Sequence, residues 1–283
     1  MNKRLLAVFA HPDDEAFGPA GTLAYYAKEG VEVHLLCATR GEAGKNHQLR
    51  TKPVPSEVEG NLELRTEGDE DTSAGGKRLR HLKGGRMDSF QVEGSAIKIG
   101  NIRERELLKS AKILGIAKVE FLDFIDGTLC NAIYHKLADK IIKKISEFRP
   151  QVMVTVERRG ISGHLDHIAV SMITTYSYLK TKIANKLYYH CLPQSMRTKM
   201  HDSYFVYFPE GYKREEITTR IDYSCCWDKK VKAMMAHQSQ IKDVKNLLTR
   251  FQKLPKIDHF ILQYHRDVKV NLLETDLFDG IGN

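Results

Sequence analysis

Long apolar runs are missing from this chain, and so are paired cysteines. No apolar stretch among the 283 residues approaches the roughly 20 that a membrane-spanning helix needs. The early run "LLAVFA" (5–10) follows Lys3 and Arg4 but ends at Ala10 against acids, too short and without the cleavage pattern of a secretory signal. No membrane segment is therefore expected. The five cysteines are an odd number, contain no C-x-x-C, and include the adjacent Cys225 and Cys226. That usage excludes a disulfide framework and a zinc–thiolate site, and a reducing cytoplasm is the simplest compartment. No G-x-G-x-x-G opens the first expected helix, and no RNA- or DNA-binding module is visible. Net charge is +8, but the excess is spread along the chain, so no nucleic-acid partner is expected.

What is present is an alternation of short apolar runs and amphipathic segments, with enough hydrophobic residues (42%) for a sizeable core. "LLAVFA" (5–10) reads as a buried strand, "AGTLAYYAKEG" (20–30) as a helix ending at Gly30, and "VEVHLLCA" (31–38) as a second strand. Strand, helix, strand is the start of a parallel sheet. Further strands are expected at 118–124, 151–157, 186–192 and 204–208. Helices are expected at 101–116, where Leu107, Leu108, Ala111 and Leu114 carry the period, and at 134–150, 166–180 and 227–240. The fold class is α/β: a Rossmann-like, doubly wound, mainly parallel sheet flanked by helices. Residues 1–283 are expected to form one domain, interrupted by a polar, flexible insertion at 45–100.

In open α/β sheets, sites gather at the carboxyl ends of strands. Here those ends carry "AHPDDE" (10–15), "TRGEAG" (39–44), "DFIDG" (123–127) and "GHLDH" (163–167). Three consecutive acids after a buried strand repel one another unless something pairs with them, and a cation is the candidate. His11 and Asp14 leave the first strand with H-x-x-D spacing, and a third ligand can come from His164 or His167, which flank Asp166. Two histidines and a carboxylate with an open fourth position describe a catalytic zinc site, and the same set can hold ferrous iron. Taken alone, "HPDD" also fits an acidic turn or a magnesium site.

The segments "AHPDDE", "TRGEAG", "IRERELLKSAKILG" (102–115), "FLDFIDG" (121–127), "GHLDH" and "AHQSQ" (236–240) together resemble the LmbE-like (PIG-L) family of zinc-dependent de-N-acetylases. The resemblance covers most of the chain outside the insertion. It implies that His11, Asp14 and His167 are the metal ligands and that Asp13 is the general base. It further implies that His164 stabilises the oxyanion and protonates the leaving amine, in its charged form. Asp166 is expected to orient an imidazole of the His164–His167 pair, and Arg103 and Asp126 to contact the sugar. The cofactor would be Zn2+, with Fe2+ as the alternative, and the substrate a small N-acetylated amino sugar or glycoconjugate. Another small amide is the second reading, and a basic nucleotide- or nucleic-acid-binding α/β module the third. A homo-oligomer is compatible with this. Glu15 either supports a metal ligand or starts the next helix. Arg40 and Glu42 either bind substrate or brace their loop, bracing being favoured for Glu42. His237 is kept outside the catalytic set. The chain departs from the family at Ser162, where relatives often have an aromatic residue, and at Leu165, where proline is common.

Overall fold

A computed structural model describes residues 2–44, 89–131, 134–197 and 209–282, and of 89–97 only the helical backbone. Seven strands form one sheet: β1 (Arg4–Phe9), β2 (Glu32–Thr39), β3 (Lys118–Phe124), β4 (Val152–Val156), β5 (Lys186–Cys191), β6 (Thr219–Asp222) and β7 (Ile257–His265). Their order is β3-β2-β1-β4-β5-β7-β6. The pairs from β3 through β5 are parallel, and β7 and β6 close the far edge antiparallel. The interior strand β1 is covered on both faces, and every residue from Leu5 to Phe9 is almost wholly buried. This is why it reads as a continuous apolar run rather than an alternating one.

The helices are α1 (Asp14–Phe17), α2 (Ala20–Lys28), α3 (Ser89–Leu114), α4 (Tyr134–Phe148), α5 (Gly160–Gly163), α6 (Leu165–Thr181), α7 (Trp227–Ala236) and α8 (Ile241–Phe251). Helices α2, α3 and α7 pack together, as do α4 and α6. The chain leaves β1 toward β2 on one side and reaches β4 on the other. The neighbouring β1 and β4 therefore mark the topological switch point, where open sheets of this kind leave a crevice.

Three expectations need correction or restriction. Helix α3 begins at Ser89, so the expected insertion boundary at 100 lies inside a helix. Glycine in "EGSAIKIGN" reads as a breaker, yet a Cβ on Gly100 would sit only 3.4 Å from the Cβ atoms of Arg40 and Glu42, so the residue marks close packing against the loop after β2. Leu108 does not join the core and is 45% exposed. The expected strand at 204–208 lies outside the described residues, as do insertion residues 45–88. Strands β6 and β7 and helix α8 stand beyond the elements expected from the sequence. At the sheet's far side, fully buried Lys186 on β5 pairs with Glu274 at 2.6 Å, and the other Glu274 oxygen accepts from Tyr188 Oη at 2.6 Å.

Candidate active site

The loop after β1 is built around one strained residue. Asp13 has φ 111°, a region that side chains with a Cβ rarely adopt. The strain is held by hydrogen bonds on both sides. Asp13 N donates to Glu15 Oε2 at 3.0 Å, and Arg103 Nη2 donates to Pro12 O at 2.6 Å and to Asp13 Oδ2 at 2.9 Å. Turning the chain back on itself separates the two aspartates, so that neighbours in sequence face different partners.

Asp14 Oδ2 accepts from the backbone N–H of His11 at 2.9 Å and of Ala10 at 3.1 Å. Its Oδ1 lies 3.1 Å from His167 Nε2, and His167 Nε2 lies 3.2 Å from His11 Nδ1. His11 Nδ1 stands 3.9 Å from Asp14 Oδ2. A four-coordinate ion with bonds of about 2.0–2.1 Å would set its ligand atoms about 3.3 Å apart, the spacing that His167 Nε2 keeps to Asp14 Oδ1 and to His11 Nδ1; the wider 3.9 Å is to the Asp14 oxygen that bonds the backbone. The tautomers fit as well. His167 Nδ1 lies 3.1 Å from Gly160 O, which places its proton there and leaves Nε2 as a lone pair. His11 Nε2 faces Asp126 Oδ1 at 3.0 Å and Asp166 Oδ2 at 3.3 Å, which leaves Nδ1 for the ion.

The electrostatics point the same way. Burial opposes charge on His11, yet Asp126, Asp166 and Asp14 outweigh it and raise the group to about 10. A field that holds a proton there would also hold a cation. Burial alone would raise the Asp14 carboxyl, but His167 and His11 hold it well below the usual carboxylate range. Asp13 goes the other way: burial pushes it up to about 6, against the pull of Arg103.

The loop after β4 brings in the remaining groups. Ile161 has φ 58° and ψ −55°, a strained conformation for a β-branched residue. Buried Glu157 supports it by accepting from Ile161 N and Arg159 N, each at 2.6 Å, and from Tyr212 Oη at 2.7 Å. His164 then caps α6, its Nδ1 accepting from Asp166 N at 3.3 Å, and its ring stands 4.8 Å from that of His11. Burial and the imidazoles of His11 and His167 push His164 below its ordinary value, so the charged form expected from sequence is not the favoured one. A neutral ring whose Nδ1 accepts carries its proton on Nε2.

Asp166 also departs from expectation. It is wholly buried, accepts from Gly127 N at 2.7 Å and Leu129 N at 3.0 Å, and faces His11 rather than orienting His164 or His167. Arg103 and Asp126 line the cavity but have protein partners. Arg103 is spent on Asp13, Pro12 and Gly41 O (2.9 Å), and Asp126 on His11 and on Ala43 N (3.1 Å). Glu42 braces its loop, accepting from Arg40 N and Asp126 N, and Arg40 pairs with Glu104 and Asp123.

Sequence reasoning missed the support behind Asp13. Arg103, Glu106 and Ser110 form a buried polar row on α3 with i, i+3, i+7 spacing. Ser110 Oγ donates to Glu15 Oε1 at 2.6 Å, and Glu106 accepts from Ser239 N at 2.7 Å and Ser239 Oγ at 2.6 Å. His237 is wholly buried, with Nε2 2.7 Å from Glu15 Oε1, and the nearby acids raise it despite burial. "AHQSQ" was the available signal. In front of this buried support, His11, Asp13, Asp14, Arg103, His164 and His167 line a cavity of about 550 Å3, whose wall also includes Ser162, His190 and residues of α8.

A family model described as PIG-L: GlcNAc-PI de-N-acetylase matches residues 6–177. The 1D-myo-inositol 2-acetamido-2-deoxy-alpha-D-glucopyranoside deacetylase of Salinispora arenicola is 30% identical over 259 residues, covering 86% of this chain and 77% of that protein. Two solved structures share the fold. The 4-carboxy-2-hydroxymuconate hydratase GalB of Pseudomonas putida gives a TM-score of 0.62 at 18% identity, covering 95% of this chain and 99% of that one. The N,N'-diacetylchitobiose deacetylase of Pyrococcus horikoshii gives 0.59 at 16% identity, covering 92% and 84%. One is a hydratase and the other a deacetylase, so the architecture alone does not fix the reaction. Among the described residues, no helix is long and apolar enough to cross a membrane.

Proposed function

The chain belongs to the PIG-L family of GlcNAc-PI de-N-acetylases, and on that premise we propose that it is a metal-dependent amidohydrolase that removes the N-acetyl group from an N-acetylglucosamine-type amino sugar or glycoconjugate. The observation that carries this reading is the convergence of His11 Nδ1, His167 Nε2 and the Asp14 carboxylate, with Asp13 held apart from them by Arg103. His11, Asp14 and His167 would hold Zn2+, or Fe2+ in its place. When bound, such an ion supplies a water of lowered pKa and a Lewis acid for the amide carbonyl.

The chain's own residues then divide the proton traffic. Asp13, raised toward neutral pH, accepts the proton of the attacking water, a role that suits a base whose pKa is near the working pH. His164, neutral with its proton on Nε2, donates a hydrogen bond to the carbonyl oxygen as negative charge develops there, and the departing nitrogen receives the proton that Asp13 took from the water. A C–O bond forms, the C–N bond breaks, and acetate and a free amine leave. Asp126 and Asp166 hold His11 in its ligating tautomer, so their role is orientation as well as lining the cavity. The substrate is a small molecule, and five free cysteines suit a reducing cytoplasm.

The test is acetate release from N-acetylglucosamine glycosides by zinc-loaded protein. Release that is abolished by a chelator and restored by zinc is the expected result. Stoichiometric zinc without hydrolysis of any N-acetylated sugar would overturn the substrate assignment.

A further inference from the structure

The cavity is chemically lopsided, and the asymmetry follows the sheet. On the β2–β3 side of the metal-binding cluster its wall is polar and tight: Ala43, Gly44, Arg103, Asp126 and Gly127. On the β5 side the wall carries an apolar stripe, beside the polar His190, Arg197 and Gln240. Leu247, Phe251 and Leu254 recur at i, i+4, i+7 along α8 and just past its end, and Phe17, Leu192 and Met196 face them. All six are half-buried, so each still shows apolar surface to the cavity. The polar α8 residues of this wall, Asp243, Asn246 and Arg250, occupy the adjoining row, and Arg250 Nη2 donates to Met196 O at 3.1 Å, which ties α8 to the loop after β5.

An amide substrate also has two sides. With its carbonyl at the cluster beside β1 and β4, a hydroxyl-rich sugar matches the β2–β3 wall, and the acyl substituent points toward β5 and α8. An acetyl methyl leaves most of that apolar surface in contact with water, which is unfavourable in proportion to its area. We propose that the α8 arm is an acyl-chain subsite and that the preferred substrates carry an N-acyl group several carbons longer than acetyl. The inference rests on the amidohydrolase reading given above, and deepens it.

Two substrate series separate the outcomes, with release of free amine as the common readout. One is glucosamine N-acylated with acetyl, butanoyl or hexanoyl. The other is N-acetylglucosamine carrying a methyl, butyl or hexyl glycoside. Expected is a rise in kcat/KM of about fourfold per methylene along the acyl series until the arm is filled, with a flat glycoside series. Leu254 belongs to none of the core clusters, and Leu254→Asp should flatten the acyl series. Cleavage of the acetyl compound with no gain from longer acyl chains overturns this inference and leaves the amidohydrolase reading standing. A gain in the glycoside series alone, or an acyl slope unchanged in Leu254→Asp, also overturns it. No release from any member of either series removes both readings.

Discussion

Glu15 bonds the backbone N–H of its near neighbour Asp13 at 3.0 Å, and thereby holds that residue at φ 111°. Asp13, the proposed base, is thus positioned by a carboxylate that does not line the cavity. Glu15→Ala would release the turn and leave His237 buried without its partner. The expected result is a loss of about 3 kcal/mol or more of stability, read by denaturant titration, from stranding a buried charge-bearing group. Turnover should fall with it. The metal content should not, because the backbone bonds to Asp14 come from Ala10 and His11.

Asp13 and Asp14 should fail differently. Asp14→Ala removes an oxygen from the donor set and should lose the metal. Asp13→Ala should keep the metal and lose turnover by about 10²- to 10⁴-fold, the usual contribution of a positioned general base. Metal analysis of the purified variants beside acetate release decides this. Equal metal loss in both variants contradicts the division of roles.

Arg103 can be disturbed without touching it. Gly41 has φ 67°, and a Cβ there would lie 2.4 Å from Arg103 Nη1. The guanidinium is 5% exposed and tied to three acceptors, so it has little room to yield. Gly41→Ala should therefore lower kcat at least tenfold while metal content is preserved. Unchanged kcat would show that Arg103 does not hold Asp13.

The acid limb of stability has a specific source. His190, near the end of β5, is buried against Phe260, its Nδ1 finds no hydrogen-bond partner among the described residues, and burial pulls its pKa down to about 4. A histidine with a depressed native pKa costs nothing above its unfolded value near 6.5. As pH falls from about 6.5 to about 4, the unfolded chain gains the proton first and stability is lost. The loss should reach about 3 kcal/mol. His190→Leu should remove this part of the slope in a series of unfolding curves across that range. An identical slope in the variant refutes the assignment.

The buried Lys186–Glu274 pair should behave as a linked unit. Glu274→Ala strands a wholly buried ammonium and Tyr188 together, at an expected cost of about 3–5 kcal/mol. Lys186→Met with Glu274→Leu should recover most of that loss in thermal unfolding. A double variant no better than the single one would show that the cavity, not the charge, sets the cost.

The framework could be read from the sequence because its signals are local. "LLAVFA" and "VEVHLLCA" sit in parallel central strands where both faces are covered, and "AHPDDE" and "GHLDH" announce their chemistry over a few residues. The parts that escaped depend on distance. Arg103 meets Asp13 across 90 residues and His237 meets Glu15 across 222, and no spacing rule links such partners. The polar row Arg103, Glu106 and Ser110 looks like a solvent face, because helical period marks a row without saying which way it points. Asp166 sits between two histidines in sequence, but its carboxylate turns to a third, since the α6 terminus aims it at the loop after β3.

Glu15 divides its two oxygens between two structures. One steadies the strained turn at Asp13, and the other is anchored by Ser110 on α3 and His237 beyond α7. The loop after β1 is therefore moored in part to the last third of the chain, past the 6–177 segment that the family model matches. A fragment restricted to that segment would keep every donor proposed for the metal, with Ser110 and Arg103, and lose the His237 contact that helps to hold Glu15 and so Asp13. Inheriting the proposed ligands is then not the same as inheriting the hold on the proposed base.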